Sequence, residues 1–515
     1  MRVVFYDNGY ETFGVQYLIS VLKEKGHDVR LFFDSSFARD YLAQDFFLTS
    51  FFSFTAKQVC DAICAHSPEV VCFSVYTIFY QHNLSVIRLI KQRLPNVKIV
   101  CGGFHATLLP EVILENDTVD FVVVGEAEIS LPLLLEKIQS TNLETLKALP
   151  AEQLQGVWSV SNGSVIKRGL SAIPHDLNAL PFPEKTMYYK TNPYLSVIYT
   201  IIAGRGCFYG CTYCNSSSMK NLYHEYNERY FRTRSVDNVI AELKHAREKF
   251  NPRYVMFFDD VFAARKDWLE EFSVKYKKEV GLPFYCQTSP LIHNEKSLQL
   301  LSESGCCLLE FGFQSANEQV RKEILNRHEK NEAMASLVIQ AVSQGMFTEL
   351  DMIANLPGET HQHITEALDF IATTHPNWVN LAFLQFHPKT PITDIAIAKQ
   401  MLKAEDKQEI EHGLRASSMR LLSQVNMDKQ YRILPFQIFA AFYFNKEISA
   451  IIIQLTQNTV VSEILSRLAS PFLYLSRILL SYTDKRDFLV RHHVGRSLHA
   501  AKNVLLAKVF AFARL

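Results

Sequence analysis

The first 140 residues alternate short apolar runs with segments whose apolar positions recur at helical spacing. The apolar runs predict five strands, at residues 3–6, 27–33, 70–74, 97–101 and 121–124. The helical spacing predicts helices at residues 16–25, 84–93 and 130–138. This alternation is typical of a doubly wound, Rossmann-like parallel sheet, which binds its ligand at the carboxyl ends of the strands.

The rest of the chain changes its pattern twice. Residues 141–195 contain five prolines and predict a linker that carries a small hairpin. Six further strands are predicted at residues 196–203, 254–259, 283–288, 307–313, 348–354 and 379–386. They favour a partial (β/α)6 barrel of TIM type over residues 196–395. Residues 396–515 predict an α-helical domain, with amphipathic helices at 404–424 and 459–480. We therefore expect an α/β chain whose first domain spans residues 1–140.

Composition narrows the functional class. The 515 residues contain 53 Lys and Arg against 53 Asp and Glu, a balance that argues against a nucleic-acid-binding protein. The N-terminus shows no basic and apolar leader, and no apolar run reaches the length of about 18 residues expected of a spanning helix. We therefore expect a cytoplasmic protein. In that reducing compartment, clustered cysteines are more often metal ligands than disulfides.

The C-terminal end is basic although the whole chain is neutral. From Val461 onward, nine Lys and Arg residues stand against three acidic ones. Basic charge beside Phe, Leu and Ile is compatible with a peripheral membrane face. The alternative, which we favour, is a helical cap that closes the open barrel over a substrate.

Three of the ten cysteines form a cluster in sequence. Cys207, Cys211 and Cys214 follow the first predicted barrel strand directly, in a glycine-rich loop. Structural zinc sites use four protein ligands, whereas three cysteines suit a 4Fe–4S cluster that leaves one iron open. A zinc loop completed by a distant ligand, or buried free cysteines, are the alternatives.

These residues resemble the signature CxxxCxΦC of the radical S-adenosylmethionine (SAM) superfamily, with Tyr213 as the aromatic residue Φ. The resemblance implies that the three cysteines hold three irons and that SAM chelates the fourth. It also implies that an electron from the cluster cleaves SAM to a 5′-deoxyadenosyl radical. An external electron donor such as flavodoxin or ferredoxin is then expected as a partner.

Downstream segments resemble further SAM-binding elements of the superfamily. Asp259 and Asp260 end the second barrel strand, near the expected SAM amino group, although either could instead cap a helix. Gln314 and Ser315 fall in a segment that resembles the ribose-binding fourth strand, with Gln314 in place of the usual Glu. Arg327 is expected near the SAM carboxylate, and its alternative is an ordinary arginine on a helix surface.

The N-terminal segment resembles the cobalamin-binding domain that is fused to many radical SAM proteins. Ser74, Gly102 and Gly103 match positions where small residues admit the nucleotide tail of cobalamin. The loop at residues 7–14 lacks the histidine that ligates cobalt in many such domains. His105 is a weaker candidate for contact with the corrin, and a solvated or backbone-bonded histidine is the alternative. A flavodoxin-like domain that binds no corrin is the other possibility.

The resemblance implies a cobalamin-dependent radical SAM enzyme. The majority reaction of this architecture is methylation of an unactivated carbon, or sometimes phosphorus, of a small-molecule substrate. Oxidative ring closure of the kind performed by anaerobic magnesium-protoporphyrin ester cyclase is an enzymatic alternative. A noncatalytic cobalamin or iron–sulfur sensor is an alternative of another class. The sequence assigns no catalytic residue and does not identify the substrate.

Overall fold

The computed structural model describes residues 1–35, 53–414, 434, 437–438, 480–481 and 483–512. The first sheet has seven strands in the order β2-β1-β3-β4-β5-β6-β7. Strands β1 to β5 run parallel, and β6 and β7 add an antiparallel hairpin at the edge. The bounds are β1 (Arg2–Asn8), β2 (Asp28–Asp34), β3 (Val70–Ser74), β4 (Lys98–Gly102), β5 (Phe121–Val123), β6 (Val157–Ser161) and β7 (Ser164–Ile166).

The second sheet is a parallel six-stranded sheet in the order β15-β14-β13-β12-β11-β8. Two short strands, β9 and β10, pair with each other beside it. The bounds are β8 (Ile198–Ile201), β9 (Gly204–Arg205), β10 (Arg232–Thr233), β11 (Tyr254–Phe257), β12 (Phe284–Thr288), β13 (Cys306–Gln314), β14 (Phe347–Ala354) and β15 (Trp378–Phe383).

Helices connect the strands and cover both sheets. In chain order they are α1 (Phe13–Glu24), α2 (Ala56–Cys64), α3 (Tyr80–Arg93), α4 (Phe104–Leu108), α5 (Pro110–Leu114), α6 (Ser130–Ser140), α7 (Leu143–Ala148), α8 (Thr186–Thr191), α9 (Asn215–Glu225), α10 (Val236–Phe250), α11 (Lys266–Glu279), α12 (Glu295–Ser304), α13 (Glu318–Glu323), α14 (Asn331–Ser343), α15 (His361–Thr374), α16 (Pro391–Ala398), α17 (Ala404–Glu411) and α18 (Leu489–Phe512). Short 3₁₀ turns lie at Thr77–Phe79, Ala151–Gln153, Leu177–Ala179 and Pro193–Val197.

The apolar runs of the sequence become strands because helices bury them on both faces. Four successive side chains of β1, from Val3 to Tyr6, are each at most 2% exposed. A strand covered on both sides needs an unbroken apolar run rather than an alternating one. All eleven predicted strands are present, with bounds that differ by at most three residues. The predicted α/β fold class is confirmed.

The predicted linker is anchored to both sheets. Lys185 is fully buried, and its Nζ donates to Gln16 Oε1 in α1 at 2.9 Å and to Thr200 Oγ1 in β8 at 2.8 Å. The Tyr188 hydroxyl donates to the Asp7 carboxylate at the end of β1, at 2.6 Å. Burial removes water from the ammonium group of Lys185 and lowers its pKa. The hydrogen bonds to Gln16 and Thr200 replace part of that lost hydration.

The C-terminal region is described only in part. Helix α17 begins at the predicted position but ends at Glu411, well before the predicted end at residue 424. The predicted helix 459–480 lies almost entirely outside the described residues. Arg467 and Arg477, which contribute to the basic end, also lie outside them. Within the described ranges, no helix combines the length and apolar character needed to cross a bilayer.

Candidate functional site

A large cavity lies where the carboxyl ends of the two sheets face each other. It encloses about 1520 Å³ of space between atoms, its open mouth included. Ser74, Gly102 and Gly103 line it from the first sheet, and Asp259 and Asp260 line it from the second. Residues predicted from two separate parts of the sequence thus meet at one cavity. The first-sheet side is the switch point between β1 and β3, where doubly wound folds bind ligands.

The two positions at the end of β4 carry glycine for different structural reasons. Gly103 has a φ of +92°, and a Cβ there would lie 3.0 Å from the backbone nitrogen of Val75. The backbone therefore requires glycine at this position. A Cβ at Gly102 would meet no protein atom closer than 4.0 Å, so it would occupy part of the cavity instead. The space beside Gly102 fits a ligand that approaches the strand closely.

His105 does not line this cavity. Its Nδ1 lies 3.0 Å from the Thr77 hydroxyl, and its ring packs against Tyr80 with 4.5 Å between ring centroids. Burial lowers the pKa of His105 to about 3, so the ring is neutral near pH 7. The alternative expected a solvated or backbone-bonded histidine. The imidazole ring is instead buried, and its hydrogen bond is to the Thr77 side chain. The structure gives it the role of a packed core residue.

The loop after β1, where a cobalt-ligating histidine is absent, reaches the cavity through Thr12, and Phe13, the first residue of α1, also lines the cavity. The Asp7 carboxylate accepts the Thr12 backbone N–H at 3.1 Å and its hydroxyl at 2.8 Å. Burial raises the pKa of Asp7 to about 6, although the hydrogen bonds from Tyr188 and Thr12 oppose this shift. Asp7 therefore shapes the loop rather than facing a ligand.

The cysteine loop leaves β9 and ends at the first residue of α9. Cys207 and Cys211 are buried and Cys214 is half-buried, all as free cysteines. Gly206 has a φ of +79°, and a Cβ there would lie 2.6 Å from the Tyr230 carbonyl oxygen. Burial raises the pKa of the Cys207 thiol to about 12. A bound metal would supply the stabilisation that the thiolate form lacks in this loop.

Zinc and a 4Fe–4S cluster make different demands on the arrangement of their ligands. Among the described residues, no three His, Cys, Asp or Glu side chains are arranged to hold a single metal ion. In a 4Fe–4S cluster, each cysteine bonds a different iron, so its ligands need not converge on one point. The three thiols of one loop, with no fourth ligand beside them in that part of the chain, fit a cluster with one open iron.

The paired carboxylates after β11 contact the segments on either side of the cysteine loop. Asp259 accepts the backbone N–H of Ala203 at 3.0 Å, and burial raises its pKa to about 7. Asp260 accepts a hydrogen bond from the Ser216 hydroxyl at 2.6 Å and lines the cavity. Desolvation by the surrounding protein raises its pKa. The helix-cap alternative is wrong, because α11 begins later, with Arg265 at its cap position.

A second group of predicted residues lies at the end of β13. Gln314 is buried with a φ of +63°, and Ser315 follows it at 2% exposure. Arg327 donates from Nη2 to the Gly312 carbonyl at 2.8 Å and from Nη1 to the Tyr213 hydroxyl at 3.3 Å. None of Tyr213, Gln314, Ser315 and Arg327 lines the cavity between the sheets. The helix-surface alternative for Arg327 is wrong, since its side chain is only 11% exposed and the residue lies in the loop between α13 and α14.

Sequence reasoning missed an ion cluster on the cavity wall. Arg205 Nη1 lies 2.5 Å from Glu126 Oε2, and its Nη2 lies 2.6 Å from Glu128 Oε1. Arg232 binds the other oxygen of Glu126. Burial opposes ionisation of Glu126, but the two guanidinium groups hold its pKa below the usual range. The sequence held one indication of this cluster, namely the positions of its residues. Arg205 lies two residues before Cys207, and both glutamates follow β5.

Comparison with protein families agrees with this geometry. Residues 201–371 match the radical SAM superfamily, and residues 5–135 match the B12 binding domain. The chain belongs to the family of radical SAM enzymes that carry an N-terminal cobalamin-binding domain. These two domains imply a 4Fe–4S cluster, SAM and cobalamin as its cofactors.

Known proteins resemble the chain over most of its length. An uncharacterised methyltransferase of Pyrococcus horikoshii is 24% identical over 399 residues, which cover 76% of this chain and 79% of that protein. The radical SAM methyltransferase TsrM from Kitasatospora setae, solved with tryptophan substrate and a SAM analogue, has a TM-score of 0.59 at 18% identity, covering 78% of this chain and 76% of TsrM. The cobalamin-dependent SAM radical enzyme OxsB, solved with aqua-cobalamin and SAM, has a TM-score of 0.64 at 14% identity, covering 98% of this chain and 78% of OxsB. Both structures share the predicted fold class.

Proposed function

We propose that this enzyme methylates an unactivated carbon, or phosphorus, of a small-molecule substrate. The observation that carries the proposal is that one cavity is lined both by the glycine pair of the first sheet and by the carboxylate pair of the second. A methyl carrier held at one sheet and a radical source held at the other could both reach a substrate placed between them. Two methyltransferases match the chain at 24% identity over 76% and 69% of its length. Anaerobic magnesium-protoporphyrin ester cyclases match it over similar lengths at 22% and 20% identity, so the relatives favour methyl transfer over ring closure by a small margin.

The cysteine loop and its neighbours would hold the cluster and SAM. We assign Cys207, Cys211 and Cys214 to three irons, because they are the free cysteines of one loop, which follows directly on Gly206 in the cavity lining. When bound, the cluster, SAM and cobalamin supply the radical and methyl-transfer chemistry, and the protein supplies positioning. Asp259 and Asp260 present carboxylate oxygens that would accept hydrogen bonds from the SAM amino group.

The remaining assignments follow the two groups of residues in the structure. Gln314 and Ser315 would contact ribose hydroxyls, and Arg327 would pair with a carboxylate. Gly102 and Gly103, together with Ser74, would admit the nucleotide tail of cobalamin beside β4. The structure offers no such place for His105, and we do not assign it to the corrin.

Apolar side chains from both sheets would exclude water from the reacting groups. Phe13, the first residue of α1, and Phe258, after β11, both line the cavity, with 6.2 Å between their ring centroids. Phe258 is 57% exposed although it lies inside the molecule, because the cavity itself is open. A bound substrate or cofactor would cover this ring.

Anaerobic reconstitution tests the proposal. The full chain, supplied with iron, sulfide, cobalamin, SAM and a low-potential reductant, should form 5′-deoxyadenosine and retain corrin absorbance. The variant Cys211→Ala should lose both the cluster absorbance and SAM cleavage, whereas Cys307→Ala, which changes a cysteine far from the loop in sequence, should keep both.

The alternatives predict other results. No SAM cleavage by a fully loaded protein would support a sensor. A product that gains no methyl group, detected by mass spectrometry of candidate substrates, would support ring closure. A protein that never retains cobalamin would contradict the role of the first sheet.

A further inference from the structure

One buried cation lies beside a cysteine assigned to the cluster. Arg327 Nη1 lies 3.9 Å from Cys211 Sγ, within reach of a hydrogen bond to sulfur. The same nitrogen donates to Tyr213, whose hydroxyl is part of the signature loop. An arginine side chain keeps its positive charge at any pH that a protein experiences. The loop therefore has a fixed cation at one of its three thiols.

Arg327 is held in this place by several contacts. Its Nη2 donates to the Gly312 carbonyl at 2.8 Å and pairs with Glu329 Oε1 at 2.5 Å. Its backbone N–H donates to the Arg321 carbonyl at 2.8 Å. The side chains of Arg327 and Glu329 are only 11% and 3% exposed, so solvent screens their charges weakly.

We propose that Arg327 raises the reduction potential of the cluster through Cys211, and that the negative charge of Glu329 partly offsets this effect. Reduction adds one negative charge to the cluster, and both a cation and a hydrogen bond to sulfur stabilise that charge. The Glu329 carboxylate pairs with Arg327 Nη2 and neutralises part of the field of the guanidinium group, which the Gly312 carbonyl and the Tyr213 hydroxyl also hold in place. The inference rests on the proposed cluster ligands and adds a role distinct from contact with SAM.

The experiment measures the midpoint potential of the reconstituted full chain without SAM, by a redox titration followed by electron paramagnetic resonance. Omitting SAM removes any effect of Arg327 on a bound carboxylate. Iron and sulfide content is measured for every variant, to establish that the cluster is present. The control is Lys330→Gln, which removes a cation from the same loop, where the side chain is 75% exposed and pairs with Glu318.

The two charges predict shifts of opposite sign. Arg327→Gln should make the potential more negative, and Arg327→Lys should give a potential between those of Arg327→Gln and the wild type. Glu329→Gln should make the potential more positive. Lys330→Gln should leave it unchanged.

Each contrary result has one meaning. An unchanged potential in Arg327→Gln, with full iron content, overturns the inference. If Arg327→Gln does not hold a cluster, Glu329→Gln decides, and an unchanged potential in that variant overturns the inference as well. A wild-type chain that takes up no four-iron cluster contradicts the proposed function itself.

Discussion

Arg205 and Glu126 form an ion pair of 2.5 Å that joins the first sheet to the short β9–β10 pair beside the second. Arg205 belongs to β9, directly before the cysteine loop, whereas Glu126 follows β5 of the first sheet. Glu128 binds the second nitrogen of the same guanidinium group, and the Arg205 group stacks over the Tyr17 ring at 4.8 Å. The pair fixes the start of the cysteine loop relative to the proposed cobalamin site.

Replacing Arg205 with Met should destabilise the protein and widen the separation between the two sheets. The change leaves buried Glu128 and partly buried Glu126 with one partner fewer each. Breaking a fully buried pair is strongly destabilising, and for this partly exposed one we expect a loss of up to about 3 kcal/mol. Urea unfolding of the cofactor-free protein measures the loss. Lys167→Ala removes an exposed pair with Glu111 and should cause no measurable change. Equal stability of the Arg205 variant and the wild type would show that the ion cluster does not hold the sheets together.

The two glycines after β4 should separate stability from cobalamin retention. Gly103→Ala should lower the free energy of unfolding by about 1–3 kcal/mol, because an alanine at this positive φ is strained and contacts Val75. Gly102→Ala should leave the stability unchanged or raise it by up to about 1 kcal/mol. Its methyl group would nevertheless reduce corrin retention, measured by absorbance after gel filtration. Full retention by the Gly102 variant would place the nucleotide tail elsewhere.

The buried carboxyl of Asp259 should make stability depend on pH. Its pKa in the folded protein is about 7, against an ordinary value of 3.8. Between these values the folded state keeps a proton that the unfolded state releases, so stability falls as pH rises through this window. The cost is about 1.4 kcal/mol per pH unit, or about 4 kcal/mol above pH 7.

Asp259→Asn should therefore gain stability relative to the wild type as pH rises from about 4 to 7. Urea unfolding of both cofactor-free proteins across this range measures the difference. Asp267→Asn is the control, because the guanidinium group of Arg265 lowers the pKa of exposed Asp267 instead. Its difference from the wild type should not change within the window. A difference for Asp259→Asn that is independent of pH would contradict the raised pKa.

His105→Phe should leave the corrin unaffected. Phenylalanine can pack against Tyr80 but cannot bond the Thr77 hydroxyl, so we expect a loss of about 1 kcal/mol in the free energy of unfolding. The absorbance of retained cobalamin should match the wild type, because His105 lies away from the cavity wall. A change in that absorbance would show that the ring reaches the cobalt.

The sequence predicted the strands well because a parallel strand buried on both faces must be a continuous apolar run. It also located Gly102 and Asp259, whose positions at strand ends determine where they lie. It could not show that these two residues face one cavity, since that depends on how the two sheets pack. Nor could it find the contact of Arg205 with Glu126, 79 residues apart along the chain, because a charged residue in a loop carries no signal of its distant partner.

Lys185 limits how this protein can be divided. Its partners Gln16 and Thr200 lie on opposite sides of the linker, so cutting the chain at either end of the linker would separate this ammonium group from one of them. Each separated half would expose an apolar surface. It would also leave buried polar groups without the hydrogen-bond partners that they have in the intact chain. The two halves therefore do not behave as interchangeable modules, and exchanging one of them with a relative's would also require exchanging the segment around Lys185.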